Sequence, residues 1–108
     1  MSASDIAKLN DEFRADPFNK GTVLVSQEIE RLNPPSDRII FDAIKNVNIF
    51  PKGNAEHDRG VLDMLFIGKV YWRILYSDTR FKDISPNPAD PTVTHRVLIV
   101  TRPGEFDL

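Results

Sequence analysis

The sequence contains no cysteine. Disulfide bridges, thiolate zinc sites, iron–sulfur clusters and cysteine nucleophiles are therefore excluded together. The absence fits a reducing compartment, and the cytoplasm is the location expected. No apolar run approaches the ~20 residues needed to cross a bilayer. Met1 to Asp5 is polar and does not open a secretion signal. An excess of one charge is missing too: 14 Lys and Arg stand against 16 Asp and Glu, a formal net charge of −2. That balance offers nucleic acid or an anionic membrane no general attraction, so neither is an expected partner. Internal repeats and low-complexity tracts are also absent.

What remains is a 108-residue chain, enough for one domain with its own hydrophobic core. Ser2 to Ala15 has helical character, with Ser4 as N-cap and Ile6, Leu9 and Phe13 on one apolar stripe. Asp16-Pro17 ends it. Thr22 to Ser26 is rich in β-branched residues and predicts a strand. Gln27 to Leu32 fits either a helical turn or a continuation of that strand. After Asn33-Pro34-Pro35, Ser36 is placed to cap a second helix running to about Lys45, with Ile39, Ile40, Ala43, Ile44 and Val47 on one side.

The strongest pattern follows. Val61 to Ile67 and Val70 to Tyr76 predict a hairpin turning at Gly68-Lys69, with Gly68 supplying the positive φ of a two-residue turn. Ser77 to Thr94 is a long polar loop with Pro86, Pro88 and Pro91, and Arg96 to Thr101 closes with a strand. The expected fold is α+β: two helices packed on a small, mainly antiparallel sheet of three to four strands with a central hairpin. Phe13, Ile40, Ile44, Leu65, Trp72, Ile74 and Leu98 are its expected core.

Several motifs resemble one family. Leu9-Asn10-Asp11-Glu12-Phe13-Arg14 resembles the N-terminal signature of the bacterial domain-of-unknown-function family numbered 3768. Glu56-His57-Asp58 with Gly60 is similar to its central motif. Trp72-Arg73, Tyr76-Ser77-Asp78, Ser85 to Pro91, Thr94 and Arg96-Val97-Leu98 follow in the same order, and Glu105-Phe106 matches its close. Arg59, Leu75, Asn87 and His95 depart from the pattern, and positions 75 and 87 thereby lose acidic groups. The resemblance implies an accessory protein of bacterial chromosomes, plasmids or phages and brings no activity with it.

Glu56, His57 and Asp58 are the densest cluster of catalytic residue types. Two carboxylates and an imidazole suit acid–base chemistry or a divalent metal, and Asp78 could join them. In an extended chain, however, Glu56 and Asp58 face one way and His57 the other. Carboxylates in loops more commonly bind backbone amides. The spacing matches no metal motif, so neither a metal nor another cofactor is expected. Arg73 and Arg96 lie on strands, where a guanidinium can tie Asp58, Asp78 or Asp90 to the sheet. Tyr71, Trp72 and Tyr76 suit a base-stacking platform only on a basic face.

Two readings result. The first is a non-enzymatic, protein-binding or regulatory accessory protein, with Asp78, Asp90 and Arg96 in its binding surface. Its concrete form is an inhibitor of a defence complex, anti-CRISPR-like, from a phage or other mobile element. The alternative is a small metal-dependent or acid–base hydrolase or nuclease using Glu56, His57, Asp58 and Asp78. The Glu56-His57-Asp58 loop is expected to meet the Asp78 to Arg96 region through hydrogen bonds and an arginine–carboxylate pair.

Overall fold

Helix α1 spans Ala3–Ala15 in a computed structural model of the chain that describes residues 3–104. Its buried residues are Ile6, Ala7, Asn10, Phe13 and Arg14, a stripe at three- and four-residue spacing. The stripe expected through Leu9 thus runs through Asn10, and Ser4 lies inside the helix, not at its cap. Asp16-Pro17 ends α1, and Pro17 then opens a short helical turn, α2 (Pro17–Lys20), where its missing N–H costs nothing.

Strand β1 (Thr22–Val25) is followed by a second short turn, α3 (Gln27–Glu30), so the ambiguous segment is helical. Ser26 caps it by accepting from Ile29 N at 3.4 Å. Helix α4 (Ser36–Lys45) buries Ile40 and Ile44. Pro35, not Ser36, holds its cap position, and Ile39 points outward at 47 % exposure.

Three further strands complete the sheet: β2 (Arg59–Met64), β3 (Gly68–Ser77) and β4 (His95–Thr101). Their order is β1-β4-β3-β2. The β2–β3 and β3–β4 pairings are antiparallel and β1–β4 is parallel, so the fold is α+β on a mixed, mainly antiparallel sheet.

The hairpin forms as expected, but its turn does not sit at Gly68-Lys69. Met64 pairs with Gly68, and Leu65 to Ile67 make the loop. Ile67 N bonds Met64 O at 3.3 Å, closing a β-turn with Phe66 at its third position. Phe66 has φ 71, as a type II turn demands there, and Gly68 has φ 91 just beyond. The glycine supplies a left-handed residue after the turn instead of within it. Leu65 is consequently 82 % exposed and leaves the predicted core.

The other predicted core residues cluster with Ile29, Val70 and Val100. Val70, Trp72, Ile74 and Tyr76 alternate onto the helix-covered face of β3, and Arg96, Leu98 and Val100 onto the same face of β4. The sheet's opposite face carries Lys69, Tyr71, Arg73 and Leu75 of β3. Among the described residues, no helix is long and apolar enough to cross a membrane.

Candidate functional site

At one end of the helix-covered face the apolar alternation stops and a polar pair takes its place. Tyr76 and Arg96 are cross-strand partners, one step beyond Ile74 and Leu98. Asn10 reaches them from α1. It is 0 % exposed, so its amide must find partners within the protein. Asn10 Oδ1 accepts from Arg96 Nε at 2.7 Å. Asn10 Nδ2 donates to Tyr76 OH at 2.7 Å and to the Glu56 carbonyl at 2.9 Å. The Tyr76 hydroxyl donates in turn to Glu56 Oε1 at 3.0 Å. Arg96 Nη2 donates to the Pro88 carbonyl at 2.6 Å, and its guanidinium lies 5.3 Å from the Tyr76 ring centroid.

Four segments distant in sequence meet at this junction: α1, the loop before β2, the end of β3 and the loop before β4. Burial raises the Tyr76 hydroxyl well above the ordinary tyrosine range. The bond from Asn10 opposes that rise, and the nearby Glu56 and Asp58 carboxylates add to it. Burial also lowers Arg96, against the opposing charges of Tyr76 and Glu56.

The remaining site candidates are occupied locally. His57 adopts φ 58 and stacks on Phe50 with ring centroids 3.8 Å apart. Its Nδ1 lies 3.0 Å from Asp11 Oδ1, so the carboxylate facing His57 comes from α1, not from Glu56 or Asp58. Asp11 also pairs with Arg14. Arg14 is 3 % exposed, lies between Phe50 and Trp72, and donates to the carbonyls of Ile44 and Val47 at the end of α4.

Asp58 Oδ1 accepts from Arg59 Nη1 at 3.1 Å. Asp78 Oδ1 accepts from Arg80 N at 3.1 Å and Lys82 N at 3.0 Å, and bonds to loop amides, that of Lys82 foremost, hold the carboxyl below its usual range. Asp90 Oδ1 accepts from Thr92 Oγ1 at 2.6 Å and Thr92 N at 2.9 Å, with the same consequence. The two loops are bridged through Asn10, which bonds the Glu56 carbonyl on one side and Arg96 on the other. The expected arginine–carboxylate pair between them is replaced: Arg96 uses an amide oxygen and a carbonyl. Asp58 takes its arginine from the next residue instead of from Arg73 or Arg96.

Asn10 and Arg14 escape sequence reasoning as site residues. Asn disfavours helix interiors, and an Asn on a buried stripe is the signal that could have marked position 10. Arg14 carries no such signal, because a basic residue in a last turn is favoured by the helix dipole alone.

Glu56, His57, Asp58 and Asp78 do not converge as a catalytic set. Among the described residues, no group of three or more His, Asp or Glu is placed to hold a metal ion. Large apolar side chains stand exposed at several places, among them Ile49, Ile84 and the hairpin tip. Leu65 is 82 % and Phe66 99 % exposed.

Comparison with known proteins gives one match. The model of a family described as a protein of unknown function (DUF3768) covers residues 25–105. No curated protein and no solved structure matches the chain.

Proposed function

This chain belongs to the DUF3768 family, whose function is unknown, and from its own geometry we propose that it is a non-enzymatic protein-binding module of the cytoplasm that docks through the β2–β3 hairpin. The observation carrying this reading is Phe66. A fully exposed aromatic ring stabilises no core, and a left-handed backbone costs a residue with a Cβ roughly 1–2 kcal/mol. Backbone strain at an exposed apolar tip is a common mark of a contact surface. The carboxylates named in the enzyme alternative hold loops together, which supports binding over catalysis. The Asp78 to Arg96 loop leaves β3 at the strand's other end and lies apart from this surface.

The test is a pull-down from a native bacterial host. Wild type and Phe66→Gly are compared, because glycine suits the same φ and removes only the ring. The expected result is a partner retained by wild type and depleted roughly tenfold or more by Phe66→Gly, the loss of one well-buried aromatic anchor. A defence complex is the first partner class to assay. Equal retention by both proteins would remove the hairpin from the interface.

A metal titration separates the enzyme alternative. Mg²⁺, Mn²⁺ or Zn²⁺ is expected to leave the melting temperature of the wild type unchanged. A site built from Glu56, His57, Asp58 and Asp78 would instead raise it by mass action, and Asp58→Ala would abolish the rise. Such a rise in wild type alone would favour the enzyme.

A further inference from the structure

Strand register sets two arginines side by side on the face of the sheet opposite Trp72 and Ile74. Arg59 of β2 is directly opposite Arg73 of β3. Like charges in that relation repel. Arg59 is partly compensated, since Nη1 bonds Asp58 and Nη2 donates to the Gly53 carbonyl at 2.9 Å. Arg73 is not. Its Nε is buried without a hydrogen-bond partner, and among the described residues no carboxylate pairs with it. A buried N–H donor on a guanidinium is costly to leave unpaired.

Both arginines line an open groove of about 990 Å³. Its volume lies in the range of small-molecule sites. Ile49, Val61, Tyr71 and Ile99 supply apolar wall. Trp72 faces the other side of the sheet and borders the groove only beside Gly60, and its indole N–H is also buried without a partner. Gly60 lets the indole lie there, because a Cβ at that position would come within 2.5 Å of Trp72 Nε1.

We propose that this groove binds a small carboxylic acid with an aliphatic or aromatic body, its carboxylate held by Arg73 with Arg59 beside it. Arg is suited to the head group because its planar fork meets two carboxylate oxygens. A single negative charge matches the site, since Asp58 already offsets one of the two cations. A polyanion such as nucleic acid would need a continuing basic track, and Asp63 opposite Lys69 interrupts it. The assignment goes beyond the hairpin reading, and its test uses the isolated protein without a partner.

The experiment titrates the protein with octanoate and with 4-phenylbutyrate. Trp72 is the only tryptophan and borders the groove, so its fluorescence is one readout, and amide chemical shifts locate the contact. Both acids are expected to give saturable changes centred on residues 59–61 and 71–73. Uncharged 1-octanol should bind roughly tenfold more weakly or worse, the usual worth of a charge-assisted hydrogen bond. Arg73→Gln, checked for folding by circular dichroism, should weaken octanoate by a similar factor. No saturable change, equal binding of octanol and octanoate, or undiminished binding by folded Arg73→Gln would each overturn the assignment. So would an acidic peptide that binds where the free acids do not. If Arg73→Gln fails to fold, the comparison of octanoate with octanol on wild type decides.

Discussion

Replacing Arg96 with methionine is expected to cost the protein about 3 kcal/mol or more of unfolding free energy. The side chain is 6 % exposed and makes two short bonds that no other residue can replace. Without it, Asn10 Oδ1 loses its donor in the interior and the Pro88 carbonyl loses its anchor. Hydrogen bonds from a charged group are each worth about 1.5–3 kcal/mol, and an orphaned buried acceptor adds to the loss. Arg96→Lys keeps the charge but not the fork, so it should fall between wild type and Arg96→Met. Asp58→Ala provides the contrast. Among the described residues its carboxylate bonds Arg59 alone, whose side chain is half exposed, so the expected cost is under about 1 kcal/mol. Urea denaturation followed by tryptophan fluorescence measures all three. An unchanged midpoint for Arg96→Met would mean that the Asp78 to Arg96 loop is held by its own internal bonds alone.

Those internal bonds explain how much of the site could be read from sequence. Asp78, Asp90, Ser85 and Thr94 bind groups within the loop itself: Ser85 Oγ and Thr94 Oγ1 are 2.6 Å apart, and Thr94 Oγ1 donates to the Asn87 carbonyl at 2.8 Å. Side chains of these types near prolines are expected to organise turns, and local chemistry is legible in a local string. The junction of Asn10, Glu56, Tyr76 and Arg96 is different. Its members are separated by up to 86 positions, and nothing within any one segment specifies the others. Arg96 was expected to find a carboxylate. It finds neutral oxygens because the helix stripe places Asn10 over the end of the sheet.

The hairpin shows the same division. Alternation placed Trp72 and Ile74 on the correct face of β3, because Tyr71 and Arg73 between them are more polar. On the other strand, Val61, Leu65 and Ile67 share one parity and Leu62, Met64 and Phe66 the other. A strand apolar on both faces specifies its register weakly, so two-residue and three-residue loops could not be separated by pattern. Geometry decides for the longer loop, with Met64 opposite Gly68. The parallel pairing of β1 with β4 left no trace in the sequence at all. β1 is four residues long, and its partner residues lie 75 positions away.

Trp72→Ala is expected to destabilise the protein by about 3–5 kcal/mol, the usual result of truncating a buried aromatic side chain. The ring is 2 % exposed and belongs to the central cluster with Phe13, Ile44 and Leu98. It also forms one wall of the slot that holds the Arg14 guanidinium, whose charge lies 5.3 Å from the ring centroid. Removing the ring therefore opens a cavity and strips a buried cation of its cation–π partner at once. Trp72→Phe separates these effects. It keeps an aromatic face toward Arg14 and discards the indole N–H, which has no hydrogen-bond partner to lose. Its cost should be well below that of Trp72→Ala, on the order of 1–2 kcal/mol for the lost volume. Both variants lack the only tryptophan, so unfolding must be followed by circular dichroism. If Trp72→Ala kept the wild-type midpoint, the ring would have to be a surface group, and the assignment of the helix-covered face would fail with it. If Trp72→Phe were as damaging as Trp72→Ala, the indole N–H would be making a bond that this geometry does not contain.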